Sequence, residues 1–253
     1  MVRKNKKITA AILVIGNEIL SGRTRDQNVS YLALWLNNSL GIKVAEVRIV
    51  PDIESKIVKS ILTLSKSYNY VLTTGGIGPT HDDITSKSIS KAFKKKYTYH
   101  KEAYNILLKY YGKKNFNDPR KKMAKMPEGA RLVFNPSSAA PGFVIKNVIC
   151  LPGVPSILKS MIGNLKKYLK PGLKIYSLTV SVETIESNIA KGLEIVQKKY
   201  RKFVEIGSYP FFRLGKIGVS IVIRSSNKIN LQSCHKAIIN MLRNKKIKIF
   251  RGI

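Results

Sequence analysis

Residues 8–15 form an almost unbroken run of apolar and small side chains, Ile-Thr-Ala-Ala-Ile-Leu-Val-Ile, which predicts a strand buried on both faces. The pattern then changes to helical spacing. Val29, Leu32 and Leu36, with Tyr31, Leu34 and Trp35 alongside, predict a helix over 28–38 that ends before Gly41. Strand and helix go on alternating: 44–50 predicts a strand, 53–65 a helix with Asp52 in the N-cap position, 70–73 a strand, and 82–94 a helix opened by acidic residues that suit its dipole. This order implies right-handed crossovers and a parallel sheet covered by helices. Helical spacing returns at 101–111, followed by extended pieces at 131–134, 143–145 and 148–151 and a helix at 156–167. Lys170-Pro171-Gly172 reads as a boundary dividing the chain into 1–170 and 171–253. Beyond it, strand 175–182, helix 183–198, strands 203–207 and 217–224, helix 231–242 and a last short strand near Ile247 describe a small α+β lobe.

Composition narrows the classes. An apolar fraction of 44% is enough for a sizeable core, and no apolar run approaches membrane-spanning length. The basic start Met1-Val2-Arg3-Lys4-Asn5-Lys6-Lys7 leads into an apolar run that Gly16-Asn17-Glu18 breaks at once, with no cleavage site, so a cytoplasmic location and no membrane partner are expected. Cys150 and Cys234 are too few and too far apart for a disulfide framework or a zinc site and are expected as buried or semi-buried thiols. The net charge of +32 is extreme, but the lysines are spread along the whole chain and outnumber the arginines. Such a charge speeds the arrival of an anionic small molecule, whereas a nucleic-acid partner is not expected without clustered, aromatic-interleaved cations.

The polar punctuation falls where an α/β sheet binds ligands, at the carboxyl ends of its strands. Thr74-Gly75-Gly76-Ile77-Gly78-Pro79-Thr80-His81-Asp82-Asp83 follows the third strand. Its three glycines remove side chains where backbone amides must approach an anion, more than a tight turn alone requires. Carboxylates at Asp82 and Asp83 would repel a phosphate unless a divalent cation bridged them, although one of the two could simply cap the helix. After the first strand, Glu18 and Asp26 are candidates for a metal or ribose hydroxyls, and Asn28 is either a helix cap or part of the site. Asp52 is likewise a cap or a third carboxylate facing the site, and His81 reads as an incidental loop residue.

At these residues the sequence resembles the molybdopterin-binding domain superfamily of the MoaB/Mog type. The motifs are Gly16-Asn17-Glu18-Ile19-Leu20-Ser21-Gly22 with Asp26-Gln27-Asn28, Val50-Pro51-Asp52, and Gly75 through Thr85. Its branch is similar to competence/damage-inducible protein A (CinA) and to the front domain of eukaryotic FAD synthases. Met126-Pro127-Glu128-Gly129-Ala130, Asn135-Pro136, Ala140-Pro141-Gly142-Phe143 and Leu151-Pro152-Gly153-Val154-Pro155 fit that branch too. The second lobe resembles its KH-like middle domain in element order and in Ile206-Gly207-Ser208-Tyr209-Pro210.

The resemblance implies a three-layer α/β/α domain with a mostly parallel sheet, and metal-dependent hydrolysis of a dinucleotide pyrophosphate such as ADP-ribose or FAD. It makes Asp83 and Asp52 the catalytic candidates, and it marks Gly75, Gly76, Gly78, Thr80, Asp82, Thr85, Asn17, Asn28 and Gly153 for substrate or phosphate binding. Glu18, Asp26 and Asp83 would hold the divalent ion, Mg, Mn or Co. Relatives carry Gly-Asp-Glu where this chain has Gly16-Asn17-Glu18, so one carboxylate is a neutral amide here. Full-length relatives also carry a nicotinamide-mononucleotide deamidase domain, and a chain ending at Ile253 is expected to lack that activity. The alternatives are a molybdopterin-binding or adenylylating protein, with the same pocket holding a pterin, and a nucleic-acid-associated binding protein. The Gly-x-x-Gly spacing of an RNA-binding KH module occurs in the lobe only at Gly215-Lys216-Ile217-Gly218, where it opens a strand instead of joining helices, so the lobe is read as structural or homodimer-forming.

Overall fold

The computed structural model describes residues 8–213 and 215–250. The chain divides into two compact units between Gly172 and Leu173. In the first unit, β1 (Thr9–Ile15) runs into a short helix α1 (Asn17–Leu20), then α2 (Asn28–Leu40), β2 (Lys43–Val50), α3 (Glu54–Ser67), β3 (Tyr70–Thr74) and α4 (Thr85–Ala92). There follow β4 (Tyr97–Tyr99), α5 (Lys101–Tyr111), α6 (Asp118–Lys122), β5 (Lys125–Pro127), β6 (Arg131–Val133), β7 (Gly142–Ile145), β8 (Val148–Leu151) and α7 (Pro155–Met161), the last continuing as a 3-10 helix over Ile162–Tyr168.

The main sheet has the order β2-β1-β3-β8-β7-β6, parallel across its first four strands and antiparallel over the last two. Alternate residues of β1 point into two cores, which is why the strand is apolar throughout. Ile12 and Val14 meet Leu32 and Leu36 of α2 on one face. Leu13 and Ile15 meet Ile57, Ile61 and Leu64 of α3 on the other. Each such side chain contributes about 1.5–3 kcal/mol by leaving water. The crossovers from β1 to β2 and from β2 to β3 therefore run on opposite faces, which puts the switch point, where sheets of this kind form their binding crevice, at the carboxyl ends of β1 and β3.

Three expected boundaries shift for local reasons. The helix expected over 82–94 begins only at Thr85, because Asp83 folds back to close a turn with Thr80 before it. The cap of α3 is Ile53 and not Asp52, whose carboxylate is drawn away to Asn17. The segment expected as one helix over 156–167 tightens to a 3-10 helix after Met161. The pair β4 and β5, and α6, are too short to leave a periodic signal.

The second unit is a three-stranded antiparallel sheet, β10 (Glu205–Arg213), β11 (Lys216–Ser225) and β9 (Tyr176–Val182), in that order. The helices α8 (Glu186–Tyr200) and α9 (Lys228–Asn244) cover one face through Ile189, Leu193, Cys234 and Ile238. The strand expected near Ile247 reduces to a single bridge between Ile249 and Val182. Gly215 turns the chain between β10 and β11 with φ 74°. Both cysteines are buried and free, and burial pushes the Cys150 thiol up to about 12 and that of Cys234 to about 11. No helix among the described residues is long and apolar enough to cross a membrane.

Candidate functional site

Four strand ends crowd together with almost no side chains between them. The Gly16 amide donates to the Val50 carbonyl at 3.2 Å, and the Gly75 amide to the Leu151 carbonyl at 3.1 Å. Gly75 has φ +99°, and a Cβ there would stand 2.1 Å from the Ile15 carbonyl oxygen, so only glycine lets the chain leaving β3 pass the end of β1. A Cβ on Gly153 would come within 3.3 Å of Gly75 Cα.

The loop beyond Gly75 is pinned at both ends. Thr85 is fully buried, donating its hydroxyl to the Gly75 carbonyl at 3.0 Å and its amide to the Gly76 carbonyl at 2.9 Å. Ile77 and Ile84 anchor it on the core beneath α3. Between these pins, among the described residues, the amides of Gly76, Ile77 and Gly78 donate to no protein acceptor. Successive amides left free in a glycine turn are the kind of donor group that can accept an anion, and the Asp83 carboxylate stands beside the last of them, its Oδ2 2.7 Å from where a Cβ on Gly78 would lie. Gly75 and Thr85, expected as ligand contacts, instead hold this turn in place: the amide of one and the hydroxyl of the other are already committed within the protein.

The acids are dispersed around this turn. The Thr80 amide donates to Asp83 Oδ2 at 2.8 Å and the Thr80 hydroxyl donates to the same oxygen, which leaves Asp83 Oδ1 uncommitted. Asp82 is exposed; the Thr80 hydroxyl beside it, its own backbone amide and the charges of His81 and Lys122 hold its carboxyl below the usual range. Asp52 Oδ2 accepts from the Asn17 amide at 2.9 Å, tying the end of β2 to the end of β1. Asp26 Oδ2 accepts from the Val29 amide at 2.9 Å, so Asp26, and not Asn28, serves the first turn of α2. The Glu18 carboxylate folds back over Gly16, where a Cβ would lie 2.4 Å from its Oε1.

Among the described residues no group of three His, Cys, Asp or Glu side chains is disposed to hold a metal ion. The set Glu18, Asp26 and Asp83 is therefore not gathered: Glu18 sits in α1 and Asp26 just before α2, both between β1 and α2, Asp83 lies between β3 and α4, and Asp26 and Asp83 are engaged by local amides. Among the described residues the acids therefore form no ready-made metal centre.

Asn28 is 5% exposed, and its Nδ2 donates to the Gly153 carbonyl at 2.7 Å, which fixes the amide orientation. Its Oδ1 has no protein partner, and neither has the buried hydroxyl of Thr74, one residue before Gly75. Thr74 shares the α2 face of the sheet with Leu72. Buried polar atoms left unpaired are uncommon and call for an explanation. In the sequence Thr74 only heads the glycine loop, and nothing but that place marks it as a contact. Two further neighbours have no local signal at all. Lys122 donates to the Thr80 carbonyl from α6, and Tyr97 of β4 lies close enough to feel the Asp83 charge. Burial, first, and then the Tyr99 and Asp83 charges push the Tyr97 phenol up to about 12.

A doubly wound sheet with a glycine turn at its switch point is the architecture of nucleotide-binding and cofactor-binding α/β domains. Residues 11–171 match the family model described as "probable molybdopterin binding domain", and residues 174–250 match "FAD synthase, middle domain". The chain belongs to the molybdopterin-binding domain family. A protein of Archaeoglobus fulgidus is 35% identical over 218 residues, covering 86% of this chain and 92% of its own. One from Sulfurisphaera tokodaii is 36% identical over 207 residues, 78% of each chain. The solved structure of the protein CinA, of unknown function, from Thermoplasma acidophilum is 31% identical with a TM-score of 0.61, covering 65% of this chain and 99% of that one.

Proposed function

We propose that the crevice at the ends of β1, β3 and β8 binds the diphosphate of a nucleotide and that the protein hydrolyses dinucleotide diphosphates of the ADP-ribose or FAD type. The observation that carries this reading is the run of unpaired amides at Gly76, Ile77 and Gly78. They would donate to phosphate oxygens and stabilise the charge that grows there as phosphorus is attacked. Asn28 Oδ1 and the Thr74 hydroxyl would meet polar groups of the ligand or its water shell. Asp83, with one oxygen held by Thr80 and the other uncommitted, would orient a water and take its proton. The water oxygen bonds to phosphorus, the bridging P–O bond breaks, and two monophosphates leave.

The assay is AMP release from ADP-ribose or FAD, with and without added Mg²⁺, Mn²⁺ or Co²⁺. Asp83→Ala is expected to lower turnover at least about a hundredfold while the fold stays intact by circular dichroism. No turnover on any dinucleotide diphosphate under any of these conditions would sink the reading.

The family description over residues 11–171 favours a second reading, a protein that binds or adenylylates molybdopterin in the same crevice. Pterin fluorescence carried through purification, lost in Thr74→Val, would select it over hydrolysis.

A further inference from the structure

At the opposite end of the main sheet, a cavity of about 340 Å³ lies between the C-terminal ends of α3 and α4 and the turn joining β7 to β8. Leu62 and Phe93 line its apolar side, and Lys66, Lys94 and Lys146 surround it. Among the described residues none of these lysines has an ion-pair partner, whereas Lys91, one turn earlier on α4, pairs with Glu54.

Two of the three stand where the backbone favours glycine. Lys94, with φ 54°, follows the end of α4. Its amide donates to the Lys91 carbonyl at 3.1 Å and the Lys95 amide to the Ser90 carbonyl at 2.9 Å, the pair of bonds that closes a helix through a left-handed residue. Lys146, with φ 51°, is the first of two residues turning the hairpin after the Ile145–Val148 pair, where glycine is again the usual choice. Asn147 fixes that turn by donating its side-chain amide to the carbonyls of Ser65 and Tyr68 at 2.9 and 3.0 Å. Lys146 Nζ lies 4.5 Å from the centre of the Phe93 ring.

Lysines commonly sit at helix C-termini, where they complement the dipole, and that accounts for the charge of Lys66 and Lys94. Lys246, with φ 54°, closes α9 in the same conformation away from this cavity, so the conformation alone marks nothing; what helix ends do not account for is the convergence of Lys94 and Lys146 on one cavity with Lys66. Backbone outliers that meet at a concave surface point to a function that maintains them.

We infer that this cavity is a second binding site, which takes a small, multiply charged oxyanion between Lys66, Lys94 and Lys146. It is independent of the crevice at the other end of the sheet. The test is an amide NMR titration of the full chain with inorganic pyrophosphate and, separately, with citrate. The expected result is saturable shifts at Lys94, Lys146 and Asn147 with at least one of the two anions. Saturation by pyrophosphate alone assigns a phosphate ligand, and saturation by citrate alone a carboxylate one. Lys94→Gly/Lys146→Gly should weaken the affinity read at Asn147 at least about tenfold, the loss expected for removing charge-assisted contacts. The same variant should melt no lower than the parent protein, because glycine relaxes both turns. Shifts confined to Gly76, Ile77 and Gly78, unchanged affinity at Asn147 in the double variant, or a melting point well below the parent would each overturn the inference.

Discussion

The first unit holds residues in left-handed backbone conformations at both ends of its sheet, and the two ends treat them in opposite ways. At the crevice, Gly75 and Gly76 have no room for a side chain: a Cβ would meet the Ile15 carbonyl at 2.1 Å and the Thr85 hydroxyl at 2.2 Å. At the far end the same backbone region carries lysines, Lys94 and Lys146, whose side chains reach an open cavity. A glycine demanded by sterics is a matter of fold. A lysine at such a position leaves room for its side chain to act. In the proposed roles, the first keeps a turn whose amides would be the functional groups, and the second would sacrifice some stability to present charge.

The sharpest break in this contrast is Gly75→Ala. Strain and the contact with Ile15 together predict a loss of about 3 kcal/mol or more, read by urea denaturation; a loss below about 1 kcal/mol would mean that β1 and β3 do not approach so closely. Thr74→Val tests the crevice from the other side. Replacing an unpaired buried hydroxyl by a methyl should raise stability by about 1 kcal/mol without ligand and weaken nucleotide binding about fivefold to tenfold. Lower stability would show that the hydroxyl is already satisfied. Lys146→Gly alone should gain about 0.5–1 kcal/mol by thermal melting, the reverse in sign of Gly75→Ala.

The smallest effect is alkaline. Because the Tyr97 phenol is held near 12 in the fold against 10.0 when free, its contribution to stability is complete below pH 10 and disappears as the pH rises from 10 towards 12. Tyr97→Phe should flatten that limb of the stability curve relative to the parent protein. An identical limb in both would place the alkaline loss in the lysines instead.

Much of the first unit was legible because its signals are local. The apolar run of β1, the helical spacing of Leu32 and Leu36, and Gly41 closing α2 in a left-handed conformation each follow from a few adjacent residues. The glycine turn after β3 was legible for the same reason. The partners of the acids were not. Asp52 and Asp26 both carry the composition of helix caps, and the choice between them depends on which amide lies nearest in space: Asp26 meets Val29, three residues on, while Asp52 reaches Asn17, thirty-five residues back. Thr85 looked like a ligand contact because it closes the motif, but its burial is set by the core beneath α3 and α4.

By itself, then, the sequence determined the class of fold, the alternation of elements and the position of the glycine turn, since periodicity and glycine clustering act within a few residues along the chain. The tertiary structure alone decided which amides remain unpaired, that the carboxylates of Glu18, Asp26 and Asp83 are not gathered around one point, and that Lys66, Lys94 and Lys146 share a cavity. These depend on distances between segments far apart in sequence, which are set by sheet order and helix packing and leave no pattern in neighbouring residues.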